Sequence, residues 1–215
     1  MFPFDAILFD VGGVLLTNGW DRAERAAAVA HFGLNAQELD TNHFAVMEPW
    51  ERGEIDINQY LDAAVFYEPR VFSRDEFVSF MFAQSQPLPN GALPILAELA
   101  ASNPCASKSC LIGALNNEAR ATNEYRFSHF GLRQYFRVAF SSCYMGLRKP
   151  SPAIYRRAID ILGCAPDRIL FIDDRQENVE GGLAAGMKAI RFTGESELRD
   201  ELTGLGVLPE AASSC

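Results

Sequence analysis

The chain has 215 residues, 48% of them hydrophobic and 22% charged, with a net charge of −9. This size holds one domain with an insertion, or two small domains. The acidic balance argues against nucleic acid or an anionic membrane as the main partner, and no apolar run nears the ~20 residues of a spanning helix.

The opening Met1-Phe2-Pro3-Phe4-Asp5 has no basic region, so no signal peptide is expected, and a cytoplasmic protein is the expectation. Ala6-Ile7-Leu8-Phe9 reads as a buried strand that ends on an acid, Asp10, with a permissive Gly12-Gly13 turn behind it. Thr17-Asn18-Gly19 marks a turn. Helices are then predicted over 21–32, 36–46, 56–66 and 73–84. Asp21 is the N-cap and Gly33 the stop of the first, and Ser73 with Glu76 forms a capping box for the last. Aromatic residues are dense here, among them Phe44, Trp50, Tyr60, Phe77 and Phe80. They suit the core of a small helical bundle, with a few left to line a pocket. Pro87-Leu88-Pro89-Asn90-Gly91 closes this region as a rigid linker.

From residue 92 the pattern changes to alternating helix and strand. Strands are expected over 110–115, 137–141, 168–172 and 188–192. Helices are expected over 92–101, 118–130, 151–162 and 177–185, with a final one from Glu195. Such alternation implies a Rossmann-like parallel sheet with helices on both faces. The all-helical part interrupts it after the first strand, as an inserted cap. The division is 1–17 with 90–215 for the α/β core and 18–89 for the cap. The five cysteines, Cys105, Cys110, Cys143, Cys164 and Cys215, are odd in number, scattered and without CxxC spacing; free thiols in a reducing compartment are expected.

Four strands lead into polar residues. The first ends at Asp10, the second at Asn116-Asn117, the third is followed by Gly146-Leu147-Arg148-Lys149-Pro150, and the fourth ends at Asp173-Asp174. In a parallel sheet these ends share one edge, where such folds bind ligands. Carboxylates and a lysine converging there suit a hard divalent cation and a phosphate.

These segments together resemble the haloacid dehalogenase-like hydrolases. Asp10-Val11-Gly12-Gly13-Val14-Leu15 is similar to the first motif of that family and Leu115-Asn116-Asn117 to the second. Arg148-Lys149-Pro150 with Ile154-Tyr155 is similar to the third, and Phe171-Ile172-Asp173-Asp174 with Asn178 to the fourth. Within the family the chain looks most like small sugar-phosphate phosphatases of the α-D-glucose-1-phosphate type and the phosphatase domain of epoxide hydrolases. The resemblance implies Asp10 as nucleophile through an aspartyl-phosphate. Lys149 would bind the phosphate and Asp10. Mg²⁺ would be held by Asp10, the Gly12 carbonyl and Asp174. Asp173 would orient Lys149 or act through a metal-bound water. Asn116 and neighbouring N–H groups, at Gly13 and Asn117, would contact phosphate oxygens. The implied partner is a small phosphorylated substrate, and no feature of the chain assigns an oligomeric state.

Two positions depart from the family pattern. The acid/base aspartate is Gly12, and the serine or threonine of the second motif is Asn116. General acid–base help is worth roughly 10²–10⁴-fold, so its loss leaves room for catalysis, above all with good leaving groups. His43, Glu48 and Glu51 are candidate replacements from the cap. Two other readings stay open: a metal-independent 2-haloacid dehalogenase, against which Asp173-Asp174 argues, and a non-catalytic binding or regulatory protein.

Overall fold

The computed structural model describes residues 2–102 and 110–210. Five parallel strands form the sheet: β1 (Ala6–Phe9), β2 (Leu111–Asn116), β3 (Val138–Ser141), β4 (Ile169–Asp173) and β5 (Lys188–Arg191). Their order is β3-β2-β1-β4-β5, so the first strand lies at the centre. Phe9 stands opposite Ala114 on one side and Ile172 on the other. This register brings the residues that follow the three inner strands to one edge.

Alternation along β1 divides the core. Ile7 and Phe9 face α5 (Leu93–Ala101), α6 (Arg120–His129) and α10 (Glu195–Gly204), through Ile95, Leu99, Phe127, Leu198 and Leu202. Ala6 and Leu8 face the opposite way. There Tyr155 and Ala158 of α8 (Pro152–Leu162) pack on Phe140 and Phe171, and α9 (Gln176–Ala184) follows β4. Both faces are therefore covered, as a buried parallel sheet requires.

Four helices stand between β1 and α5: α1 (Arg22–Phe32), α2 (Ala36–Glu51), α3 (Ile57–Ala64) and α4 (Arg74–Ala83). The predicted signals act as expected at three ends. Asp21 and Glu24 make a capping box on α1, Gly33 ends it in the left-handed conformation, and Ser73 with Glu76 caps α4. Helix α2 runs past its expected end at residue 46 and contains Pro49. Burial of Trp50, whose ring stacks on Tyr60 at 3.9 Å, accompanies this extension and overrides the local cost of the proline. The aromatic residues of this region serve mainly as core: Trp20, Trp50, Tyr60 and Phe77 are buried together, whereas Phe44 and Tyr67 are exposed.

The two linkers run side by side. The Thr17 N–H donates to the Gln86 carbonyl at 2.8 Å, the Gln86 N–H to Thr17 Oγ1 at 3.0 Å, and Leu16 pairs antiparallel with Pro87. Among the described residues no helix is long and apolar enough to cross a membrane. Cys143 and Cys164 are free thiols, whereas Cys105 and Cys215 lie outside the described residues.

Candidate active site

The centre of the sheet edge is a buried lysine between two carboxylates. Lys149 is 1% exposed, and its Nζ lies 2.5 Å from Asp173 Oδ2 and 3.1 Å from Asp10 Oδ1. Strand β1 delivers Asp10 and β4 delivers Asp173. Lys149 comes from the loop after a short helix, α7 (Ser142–Met145), which the sequence pattern did not show. Burial opposes the lysine charge, but the two carboxylates outweigh it and raise its pKa above the ordinary range. Burial pushes the Asp10 carboxyl upward, and Asp173 and Asp174 add to that push, against the pull of Lys149 and the Val11 N–H.

Asp173 is fully committed. Its Oδ1 accepts from the Arg175 N–H at 2.9 Å and from Asn178 Nδ2 at 3.0 Å, and its Oδ2 accepts from Lys149 and, at 3.1 Å, from Asn178. The Arg175 and Asn178 donors stand at the N-terminus of α9, where backbone polarity favours a carboxylate. Asp173 therefore holds Lys149 in place.

Asp174 is the opposite case. Its Oδ1 is buried without a hydrogen-bond partner. Ligand oxygens of Asp10, Asp173 and Asp174 lie within 4.8 Å of one another. A half-buried acid with a buried, unpaired oxygen, beside two buried ones, fits a hard divalent cation with oxygen ligands. Burial raises the Asp174 pKa, with Asp173 repulsion next, as expected for a cluster short of positive charge. Gly13 makes the approach of Asp174 possible. It has φ +73°, and a Cβ there would fall 2.5 Å from the Asp174 Cγ.

Three residues expected at the phosphate are hydrogen bonded within the fold. The Gly13 N–H donates to the Leu16 carbonyl at 2.8 Å, so this residue contributes space and not a donor. Asn116 is buried beneath the edge, where its Nδ2 donates to Asn123 at 3.0 Å and its Oδ1 accepts from Ser141 at 2.8 Å. The Asn117 side chain clamps the lysine loop: its Nδ2 donates to the Lys149 carbonyl and its Oδ1 accepts the Lys149 N–H, each at 2.8 Å. The backbone N–H groups of Asn116 and Asn117 are separate from these side-chain bonds.

A cavity of about 220 Å³ opens over Asp10 and Lys149, roofed by Trp20, Phe44, Met47 and Trp50 of the cap. His43 lines it, but its single N–H is already spent within the protein. Arg25 Nη1, a donor only, faces Nε2 at 3.2 Å, so Nδ1 carries the hydrogen and donates to Tyr60 Oη at 2.9 Å. Burial, with Arg25 next, holds the His43 pKa down to about 4. Glu48 pairs with Arg52 at 2.6 Å and lines no part of this cavity. Glu51 does line it, and its Oε2 accepts from Arg148 Nε at 2.9 Å and Nη2 at 2.8 Å. Its carboxyl is pushed up by burial, against the pull of Arg148. Among the cavity residues that escaped sequence reasoning are Glu118, Arg126 and Arg175. The first two pair with each other, and Arg175 reaches Asp21 of the cap at 3.1 Å. No local motif marks them: Glu118 and Arg126 stand eight residues apart, and Arg175 meets Asp21 across 154 positions.

Known proteins resemble this chain in sequence and in fold. A protein named as a flavin mononucleotide hydrolase from Arabidopsis thaliana is 37% identical over 76 residues. That match takes in 35% of this chain and spans only 31% of the relative. A protein named as a phosphatase from Mycobacterium tuberculosis is 28% identical over 96% of this chain and 97% of its own length. The crystal structure of a HAD family enzyme from Bacteroides thetaiotaomicron, in complex with magnesium and inorganic phosphate, shares the fold. Its TM-score is 0.74 at 19% identity, over 89% of this chain and 95% of that one. The sequence profile of haloacid dehalogenase-like hydrolases matches residues 4–186, and the chain belongs to that family.

Proposed function

We propose that this hydrolase is a Mg²⁺-dependent phosphatase of a small phosphorylated metabolite, with sugar phosphates as the class to test first. The observation that carries the reading is the buried Asp10–Lys149–Asp173 row beside the unpaired Asp174 oxygen. A neutral substrate has no use for a lysine held at this cost, whereas a phosphate dianion does. The full-length relative named as a phosphatase supports the same class. A metal-independent dehalogenase offers no account of the unpaired Asp174 oxygen.

In this reading Asp10 attacks phosphorus and forms an aspartyl-phosphate, which water then hydrolyses. Lys149 binds a phosphate oxygen and offsets the charge that builds in the transition state. Asp173, itself fixed by Asn178, holds the lysine, and Asn117 holds its loop. Asp10, the Gly12 carbonyl and Asp174 would hold Mg²⁺, which neutralises charge on the phosphate. The core comprises 1–17 and 90–215, and the cap 18–89 excludes water and bears on the leaving group through the cavity roof.

The test uses p-nitrophenyl phosphate with Mg²⁺ and with EDTA, beside Asp10→Asn. Turnover that needs the metal and vanishes in the variant is expected. Turnover indifferent to both, or none across a panel of phosphate esters, refutes the reading.

A further inference from the structure

Position 12 has no side chain, and the structure shows what fills the space instead. A Cβ on Gly12 would point at Asn18 Oδ1, 3.1 Å away, and at Arg126 Nη1, 3.7 Å away. An acid at this position would run into a guanidinium. Arg126 is 2% exposed and lines the same cavity as Asp10, Gly12 and Lys149.

Its hydrogen bonding is incomplete. Nη1 donates to Glu118 and Nη2 to the Thr17 carbonyl, while Nε is buried with no partner. A guanidinium has five N–H donors and does not give up its proton in proteins. Glu118 is itself fixed: its Oε1 accepts from Thr122 Oγ1 at 2.9 Å, and its N–H donates to Ser142 Oγ at 2.9 Å. The cation is thus held rigidly on the wall of the cavity that Asp10 also lines, with donors left over beyond its bonds to Glu118 and Thr17, which points to an anionic ligand.

We propose that Arg126 takes the place left by the absent side chain at Gly12 and stabilises the leaving oxygen by charge, so that the group departs as an oxyanion. This rests on the phosphatase reading. An Asp10 oxygen forms its bond to phosphorus, the bond from phosphorus to the leaving oxygen breaks, and the electron pair stays on that oxygen. The released oxyanion then takes a proton from water. Arg126 supplies no proton, and the enzyme accordingly favours substrates whose leaving group is a weak base, as sugar-1-phosphates are beside alkyl phosphates.

The experiment measures kcat/KM, which reads the first irreversible step, for aryl phosphates ranging from dinitrophenyl to phenyl. It uses the Mg²⁺-loaded wild type, Arg126→Gln, Arg126→Lys, Gly12→Asp and Glu51→Gln. The wild type should slow steeply as the leaving group becomes more basic. Arg126→Gln should lose about 10²–10³-fold on phenyl phosphate and far less on dinitrophenyl phosphate, the magnitude of losing one such stabilising donor. Arg126→Lys should recover part of the loss. Gly12→Asp should pair with Arg126 and lower the phenyl phosphate rate. Because Arg126 also ties the Thr17 carbonyl, its variants are compared by the ratio between substrates, which does not depend on the folded fraction. A shallow wild-type dependence, an equal loss on every substrate in Arg126→Gln, or a steeper dependence in Glu51→Gln would overturn the proposal. Absence of wild-type turnover on the whole series would overturn the phosphatase reading with it.

Discussion

Gly13→Ala should separate cation binding from folding. Gly13 has φ +73°, and an alanine Cβ would fall 2.5 Å from the Asp174 Cγ and 2.8 Å from its Oδ1. The left-handed conformation costs an ordinary residue roughly 1–2 kcal/mol. Reaching an ordinary separation of 3.4 Å forces the carboxylate back by about 0.9 Å. Mg²⁺ demands near-ideal geometry at about 2.0–2.1 Å, so a shift of that size takes Asp174 out of the ligand set. Loss of an outer-shell partner alone typically costs about 10–100-fold in metal affinity, and displacement of a direct ligand should cost about 100-fold or more. Calorimetric titration of Mg²⁺ into metal-free protein reads the affinity, and urea unfolding without metal reads the folding cost. A folded variant that binds Mg²⁺ like the wild type would refute the placement of the cation beside Asp174.

Asn117→Ala removes both 2.8 Å bonds that clamp the Lys149 backbone. It should lower stability by about 1–3 kcal/mol and kcat more than KM, because misplacing a reacting group by ~1 Å can cost about 10²-fold; an unchanged kcat with a raised KM would contradict the clamp. His43 has its folded pKa lowered to about 4 from 6.5. As pH falls through 6.5 the unfolded chain takes the proton first, so stability present above that pH drains away between 6.5 and 4. By pH 5 the loss is about 2 kcal/mol at ~1.36 kcal/mol per unit. His43→Gln should remove that part of the slope in urea melts at pH 7.5 and 5, and a slope unchanged in the variant would show that His43 is not the neutral partner of Arg25 and Tyr60.

Much of this molecule is written in local pattern. Short apolar runs that end on Asp10 and Asp173, helices bounded by Asp21, Gly33 and Ser73, and the change from helical to alternating character after residue 91 are all features of near neighbours. Strands and caps depend on residues within a few positions of each other, so they survive reading in one dimension. The convergence of Asp10, Lys149 and Asp173 also follows from a parallel sheet, whose strand ends must share an edge.

The partners of the remaining side chains are another matter. The Asn117 clamp on Lys149 spans 32 positions, and the bond from Arg126 to the Thr17 carbonyl spans 109. The family resemblance implies Asn116 as a phosphate donor, yet its amide is spent on Asn123 and Ser141. His43, Glu48 and Glu51 looked alike as acids in reserve, and only packing separated a neutral histidine, a surface pair and a cavity carboxylate. A polar side chain bonds to whatever the folded chain brings within about 3 Å, and long arginines reach in many directions. Residue order therefore settles which groups arrive at the sheet edge, while the packing of cap on core decides which of them still have a donor or an acceptor to offer a substrate.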